Sequence, residues 1–346
     1  MTMRLFSLLL LVAGAISTRA QTTHSAPLTP VPDDAFVSAT VESLRSLIEE
    51  KYFDQSAIPR INSALGTALA RGEFAREKSL GDFAERLTST LYQASHDKHL
   101  VVSVSAPSTT RSDQEPMSRA EGARFSNYGV KTARVLDGNV GYLEVTAFYR
   151  ANEGSEAVDA GMRLLANTDA IILDLRINGG GSPDTALQLL SYFFADPEMP
   201  LFSIVPRSGT PTVERTQAKG IAYRDEKRPV YILVSAQTWS AGEGVSFILQ
   251  ERHRAKVIGE NTPGAANPAE PSTINQALSV NIPFGSIKSS IKGTNWEGNG
   301  IVPDVQVDSE KAFQVAYVQA LEELLSKTAS DARRSLTTSA LANARK

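Results

Sequence analysis

Ser240 stands where an apolar run gives way to a helical pattern, in VYILVSAQTWSAGEGVSFIL. A serine at a helix N-terminus gains from the dipole when its oxygen, or an oxyanion attached to it, is negative. That is nucleophile chemistry. The spacing Ser240-Ala241-Gly242-Glu243 also fits a capping box in which Glu243 reaches back to the cap, and on local pattern alone capping ranks ahead of catalysis. A serine is a weak nucleophile without a base, and the chain has four histidines, His24, His96, His99 and His253. His24 lies in a Pro-, Thr- and Ser-containing stretch. His253, in ERHRAK, reads as a solvent-facing residue at a helix end. His96 and His99 lie in ASHDKHLVVSV, where a helical pattern meets a strand; they suit a polar turn, a metal site or a base. No H-E-x-x-H or matching acidic cluster supports the metal, whereas junctions between domains are where sites are often assembled. Glu297, beside Trp296 in KGTNWEGNGIVPDV, could orient a histidine or simply be solvated. Asp304, after Pro303, reads as a turn or cap.

The other chemistry-bearing segment is DLRINGGGSPDTALQLL. Gly179, Gly180 and Gly181 follow an apolar strand and precede a helix, where glycine lets the backbone turn sharply and present N–H groups beside a helix N-terminus. Such a turn can hold an oxyanion, a phosphate or nothing. The glycines are consecutive, which fails the dinucleotide spacing, and no G-K-S/T follows, which fails the P-loop.

These residues need a scaffold, and the pattern supplies an α/β one. Of 346 residues, 42% are hydrophobic and 21% charged, enough for one large domain and a smaller one. The net charge of −3 gives no footprint for nucleic acid or an anionic membrane. The absence of cysteine excludes disulfides, a thiol nucleophile and cysteine metal sites. MTMRLFSLLLLVAGAISTRAQ has the shape of a cleavable export signal with cleavage after Ala20; its apolar run is shorter than the ~20 residues a membrane span needs. The expected organisation is a signal over 1–20, a linker over 21–33, a helical domain over 34–97, an α/β core over 98–328 and a flexible tail over 329–346.

Apolar spacing over the helical domain, with Val41, Leu44, Leu47 and Ile48 and later Phe83, Leu87, Leu91 and Tyr92, predicts three helices broken near Ser56 and Gly72. Beyond His99, runs such as AIILDL and VYILV are apolar on both faces, as buried parallel strands crossed by helices should be. INQALSVNIPFGSIKSSI reads as a hairpin or edge region turning near Pro283 and Gly285. Phe313, Tyr317, Leu321 and Leu325 mark an amphipathic closing helix, after which the chain is expected to fray.

Six stretches in order, DKHL, VGYLEV, AIILDLRINGGGSP, PVYILVSAQTWSAGEG, IGENTPG and TNWEGNGIVPDV, resemble the superfamily of tail-specific (C-terminal-processing) peptidases, the tricorn core protease and the interphotoreceptor retinoid-binding protein. The resemblance implies a crotonase-like (ClpP-like) core of βα units behind a small helical bundle. It implies Ser240 as nucleophile, His99 as base and Glu297 in the network that activates the site, as in the tricorn-like branch, with oxyanion donors from Gly179 or Gly180 and from Ala241. The lysine of the tail-specific branch has no counterpart, because Ala265 and Ala266 occupy its place. Ala106 to Ser126 is too short for a PDZ domain. The expected activity is serine-type hydrolysis of exported or extracellular peptides or unfolded proteins, in the periplasm or outside the cell. No metal, no cofactor, no nucleic acid and no membrane span after signal removal are expected; an oligomer is compatible with the sequence. The alternatives are a non-catalytic module binding a retinoid, lipid or peptide, and an esterase-like serine hydrolase.

Overall fold

The structure, a computed structural model, describes residues 32–105 and 117–346. The expected signal, most of the linker, His24 and much of the segment read as too short for a PDZ domain lie outside the described residues.

Three helices open the described chain, α1 (Asp34–Lys51), α2 (Ile58–Ala70) and α3 (Leu80–Ser95). The first begins where the Asp33 carboxylate accepts the Phe36 N–H at 2.7 Å, and the third where Ser79 accepts the Asp82 N–H, side-chain caps for otherwise unpaired donors. Their apolar stripes, including Val41, Leu44, Ile48, Phe83, Leu87 and Leu91, are fully or almost fully buried. They close on a layer that comes largely from far along the chain. β1 (Val101–Val104) pairs antiparallel with β10 (Leu278–Pro283), which pairs with β9 (Ala269–Thr273). Leu100, Val102, Leu278, Val280 and Ile282 complete this core. The strand at 101–104 therefore belongs with the helical region and not with the main sheet.

The main sheet has six strands in the order β12-β8-β7-β4-β3-β2. These are β2 (Val130–Leu136), β3 (Val140–Val145), β4 (Ala170–Asp174), β7 (Val230–Val234), β8 (Lys256–Gly259) and β12 (Val305–Gln306). All neighbours are parallel except β2, which runs antiparallel to β3. Every residue of β4 and β7 is buried, because Ile171 and Leu173 face one layer while Ala170 and Ile172 face the other. α5 (Ala151–Leu164), α6 (Pro183–Ser191) and α7 (Ala241–Glu251) supply the crossovers, and their buried residues join the first layer. α4 (Arg119–Phe125) precedes β2. A small sheet of β11 (Gly285–Ser289), β5 (Pro200–Pro206) and β6 (Thr212–Arg215) adds Leu201 and Phe202 to that same layer.

Two expectations are corrected. The stretch at 278–289 is not a hairpin: β10 and β11 lie on either side of Phe284 but pair with different sheets. The tail expected to fray instead holds α9 (Asp331–Ala344), which buries Thr337, Ala340 and Leu341 in the layer beneath the sheet formed with α8 (Ser309–Lys327). The stripe α8 buries deepest is Ala312, Ala316, Ala320 and the expected Leu321, with Phe313 and Tyr317 only partly buried. Small residues let a helix approach a sheet closely, so the aromatic rings sit at the edge of the contact.

Candidate active site

The C-terminal ends of parallel strands β4 and β7 place two turns side by side, the position where open α/β sheets characteristically hold ligands. From β4 come Leu175 to Gly181; from β7 come Ser235 to Ser240. They are stitched together by Thr238 Oγ1 donating to Leu175 O (2.8 Å), Ser235 Oγ to Arg176 O (2.5 Å) and Trp239 N to Asn178 O (2.8 Å). The approach is close enough that a Cβ at residue 180, where φ is +83°, would stand 2.8 Å from the Cβ of Ser240. Glycine there is a packing requirement.

Ser240 itself has φ 51° and ψ −113°, a strained conformation for a residue with a side chain, costing on the order of 1–3 kcal/mol. What holds it is Glu243, 0% exposed. One oxygen of that carboxylate accepts the N–H groups of Ser240 and Ala265, each at 2.9 Å; the other accepts Thr262 Oγ1 and the Gly264 N–H, each at 2.6 Å. The return half of the capping box is thus made, while the Ser240 hydroxyl makes no cap bond. Its partner is His99 Nε2, at 3.1 Å.

His99 reaches that point from the helical region. α3 ends with His96 in the left-handed conformation (φ 61°), the chain reverses, and the Asp97 carboxylate accepts the His99 N–H at 3.0 Å. The His99 ring lies edge-on to Trp239, centroids 5.8 Å apart. Burial lowers its pKa to about 4, so at neutral pH the imidazole is uncharged and one ring nitrogen can accept a proton.

Glu297 holds the neighbouring segment: Oε2 accepts the N–H groups of Ala266 (2.6 Å) and Asn267 (3.1 Å). Burial, and then the Asp97 charge, push its pKa up to about 7 against the pull of those N–H groups. Its Oε1 and His99 Nδ1 are both buried with no partner among the described residues. One ligand atom each from Asp97, His99 and Glu297 lies within 4.8 Å of the others, so this trio could also hold a cation. Yet the Asp97 oxygens already accept from Tyr52 Oη (3.2 Å), Asn267 Nδ2 (2.9 Å) and the His99 N–H. With those three donors on Asp97, its carboxylate is already engaged in holding the chain around His99.

The glycine turn departs from expectation. The N–H of Gly179 is bonded to Thr146 O (3.0 Å) and that of Gly180 to Asn178 Oδ1 (2.8 Å), so of the expected oxyanion donors neither glycine is free. Among the described residues, the N–H groups of Gly181 and Ala241 have no acceptor, and both residues line the pocket beside Ser240. They flank the N-termini of α6 and α7. His96 lies edge-on to Tyr92 and His253 follows the end of α7 with φ 52°; neither joins Ser240. Asp304 accepts the Val257 N–H, a structural bond at the sheet edge.

Residues 139–307 match Peptidase family S41, and residues 34–127 match the N-terminal domain of Peptidase_S41 in eukaryotic IRBP. The chain belongs to peptidase family S41. Within S41 it is similar to the carboxy-terminal-processing protease of Bartonella bacilliformis, 30% identical over 181 residues covering 50% of this chain and 40% of that protein. It is also similar to the carboxyl-terminal-processing protease of Synechocystis sp., 35% identical over 127 residues, 36% of this chain and 28% of the relative. The chain thus spans about two-fifths or less of the length of these curated relatives. Its fold is like that of a peptidase described as putative from Parabacteroides merdae (TM-score 0.52, 16% identical, 79% of this chain and 90% of the other). It is also like that of the tricorn protease (TM-score 0.52, 14% identical, 84% and 37%). The cluster around His99 and Ser240 contains residues that the sequence does not single out: Asp97, Asn267 and Tyr52. Asp97 left one trace, an acidic residue two before His99, the spacing of a carboxylate that closes a turn on its own backbone. Asn267 and Tyr52 left none.

Proposed function

We propose that this S41 chain is a serine-type peptidase with Ser240 as nucleophile and His99 as general base. The observation that carries the reading is the 3.1 Å contact between His99 Nε2 and Ser240 Oγ, made by a histidine that burial keeps neutral. In the reaction Oγ attacks the scissile carbonyl carbon as its proton passes to Nε2, and the carbonyl oxygen becomes an oxyanion. The N–H groups of Ala241 and Gly181, which have no acceptor among the described residues and belong to residues lining the same pocket, are the donors proposed to receive it. Collapse of the intermediate breaks the C–N bond, and the imidazolium returns its proton to the leaving amine. Water repeats the sequence on the acyl-enzyme. Glu297, when ionised, favours the transient imidazolium. One oxyanion donor contributes roughly 2.7–4 kcal/mol to such a barrier.

The crotonase-like reading of the core is part of this proposal, supported by the βα crossovers. So are the division into a helical unit over 34–97 and a core over 98–328, here amended because β9 and β10 complete the helical unit's layer. Export rests on the shape of residues 1–20; among the described residues no helix is long and apolar enough to cross a membrane. A purely binding role has less support, since it gives no reason for a neutral imidazole on a strained serine.

The test is intact-mass analysis after treatment with a fluorophosphonate, for wild type, Ser240→Ala and His99→Ala. A single adduct is expected on wild type, none on Ser240→Ala and at least a hundredfold slower labelling of His99→Ala. A folded wild type that takes no adduct overturns the reading.

A further inference from the structure

A pocket of about 510 Å³ opens onto Ser240, within the ~300–1,000 Å³ range of ligand clefts. Leu187 and Leu190 on α6 and Val245 and Ile248 on α7 form one side of it, and Ile204 and Ile287 another. These last two face each other across β5 and β11. Trp296 adds an indole whose N–H is committed to Ala265 O at 3.0 Å, so the ring presents apolar surface. The polar groups lining the pocket are Ser240, His99, Asn267, Asn281 and, exposed, Glu270; among the described residues no lysine or arginine lines it.

The direction in which a substrate enters follows from the three substituents of a carbonyl carbon held at Ser240 Oγ. The oxygen is drawn to the N–H groups at the starts of α6 and α7. The leaving amine must stay within reach of His99, which protonates it. The remaining substituent, the residue whose carbonyl is attacked, is left on the side of the first two turns of α6 and α7, and those turns carry the apolar wall. We infer that this pocket receives a large apolar side chain on the acyl side of the scissile bond, so that the substrates are peptides cleaved after leucine, methionine, phenylalanine or a residue of that size. The inference rests on the serine-peptidase reading. A methyl group would leave most of the wall against water, and a carboxylate would find no cation and would meet Glu270.

The experiment uses peptidyl diphenyl phosphonates, which form a Ser Oγ–P bond with loss of phenoxide, carrying the analogue of Ala, Leu, Phe, Glu or Lys at the reacting position. Second-order labelling rates are read by intact mass on the full chain, beside a simple fluorophosphonate and a p-nitrophenyl ester series from acetyl to decanoyl. A single methylene in an apolar pocket changes rates by roughly 10–200-fold, so the Phe and Leu reagents are expected to outpace Ala by at least about tenfold, with Glu slowest. In Ile287→Trp, and separately in Ile204→Phe, the Phe-to-Ala ratio is expected to fall toward one or below, in variants whose melting curves show a folded protein. Labelling by the fluorophosphonate with Ala as fast as Phe, or an unchanged ratio in both folded variants, overturns the pocket assignment and leaves the hydrolase standing. Turnover of the decanoyl ester with no labelling by the Phe reagent makes the occupant an acyl chain and overturns the peptide assignment. No adduct from any reagent removes the nucleophile, and this inference with it.

Discussion

The two halves of the site are held in different ways. Ser240 sits at the start of α7, just past β7, and the turns around it are joined by bonds between segments that the main sheet already brings together. His99 comes from the helical region and is fixed by side chains reaching across the fold. Asn267 meets Asp97, Tyr52 meets Asp97 and Lys98 Nζ donates to Pro263 O. Ser240 is therefore over-determined enough to hold a strained backbone, while His99, the proposed base, depends on a few long-range bonds. The loop 262–267 touches both halves: it binds Glu243 below Ser240, and through Asn267 it binds Asp97 below His99.

Glu243→Gln should give the largest effect. All four partners of the carboxylate are donors, so an amide NH₂ must face one or two of them, and each unpaired buried group costs about 1–3 kcal/mol. The prediction is a loss of stability of that order and a fall in kcat of roughly a hundredfold, the scale of a 1 Å misplacement of a reacting group. KM should change much less. A variant with kcat within threefold of wild type would mean that the backbone bonds alone hold the nucleophile.

Asn267→Ala attacks the other half. It removes the amide that ties the loop to Asp97 and should lower kcat by tens of fold at a stability cost of only about 1 kcal/mol. Activity and stability separate here because the bond orients the base without filling the core. A stability loss as large as that of Glu243→Gln, with kcat intact, would reverse the comparison.

Ionisation offers a milder perturbation. The Glu297 pKa is raised to about 7 by burial and by Asp97, so below that pH the carboxyl is protonated and no longer favours an imidazolium on His99. The log of kcat/KM for the free enzyme should climb as pH rises through about 7, and Glu297→Gln should lack that limb and lie about tenfold below the wild-type plateau. A limb that survives in Glu297→Gln belongs to another group.

The same contrast explains what could be read from sequence. The β4 and β7 strands, the crossover helices and the placing of Ser240 at a helix start follow from local pattern, since neighbouring segments fold against each other in order. Which N–H of a glycine run is free does not: Gly179 and Gly180 look identical to Gly181 in sequence, and their engagement depends on Thr146 and Asn178. Asp97 and Asn267 are 170 residues apart, with no period to connect them. The apparent hairpin at 278–289 misled for a related reason, because β10 takes as one partner β1, which follows the three opening helices far earlier in the chain. The closing helix and its buried Leu321 were legible, but the rest of its buried stripe was not, since alanines beside aromatic residues carry the weaker apolar signal and make the closer contact.

Tyr52→Phe is the finest probe of the base side. Tyr52 caps α1, is buried, and donates its hydroxyl proton to Asp97 at 3.2 Å; burial and the neighbouring carboxylate push its own ionisation far up, so it stays a donor at any working pH. Phenylalanine keeps the packing and removes one of three donors to Asp97. A net hydrogen bond of this kind contributes about 0.5–1.5 kcal/mol, so kcat should fall by roughly two- to tenfold. The position of the Glu297 limb tells whether the effect passes through Asp97: burial raises the Asp97 pKa while its donors, Tyr52 among them, pull it down, and its charge is one of the causes that raise Glu297, so removing a donor should shift the limb. A loss of kcat with the limb unmoved would mean that Tyr52 acts by holding the end of α1 against the site rather than through the carboxylate pair.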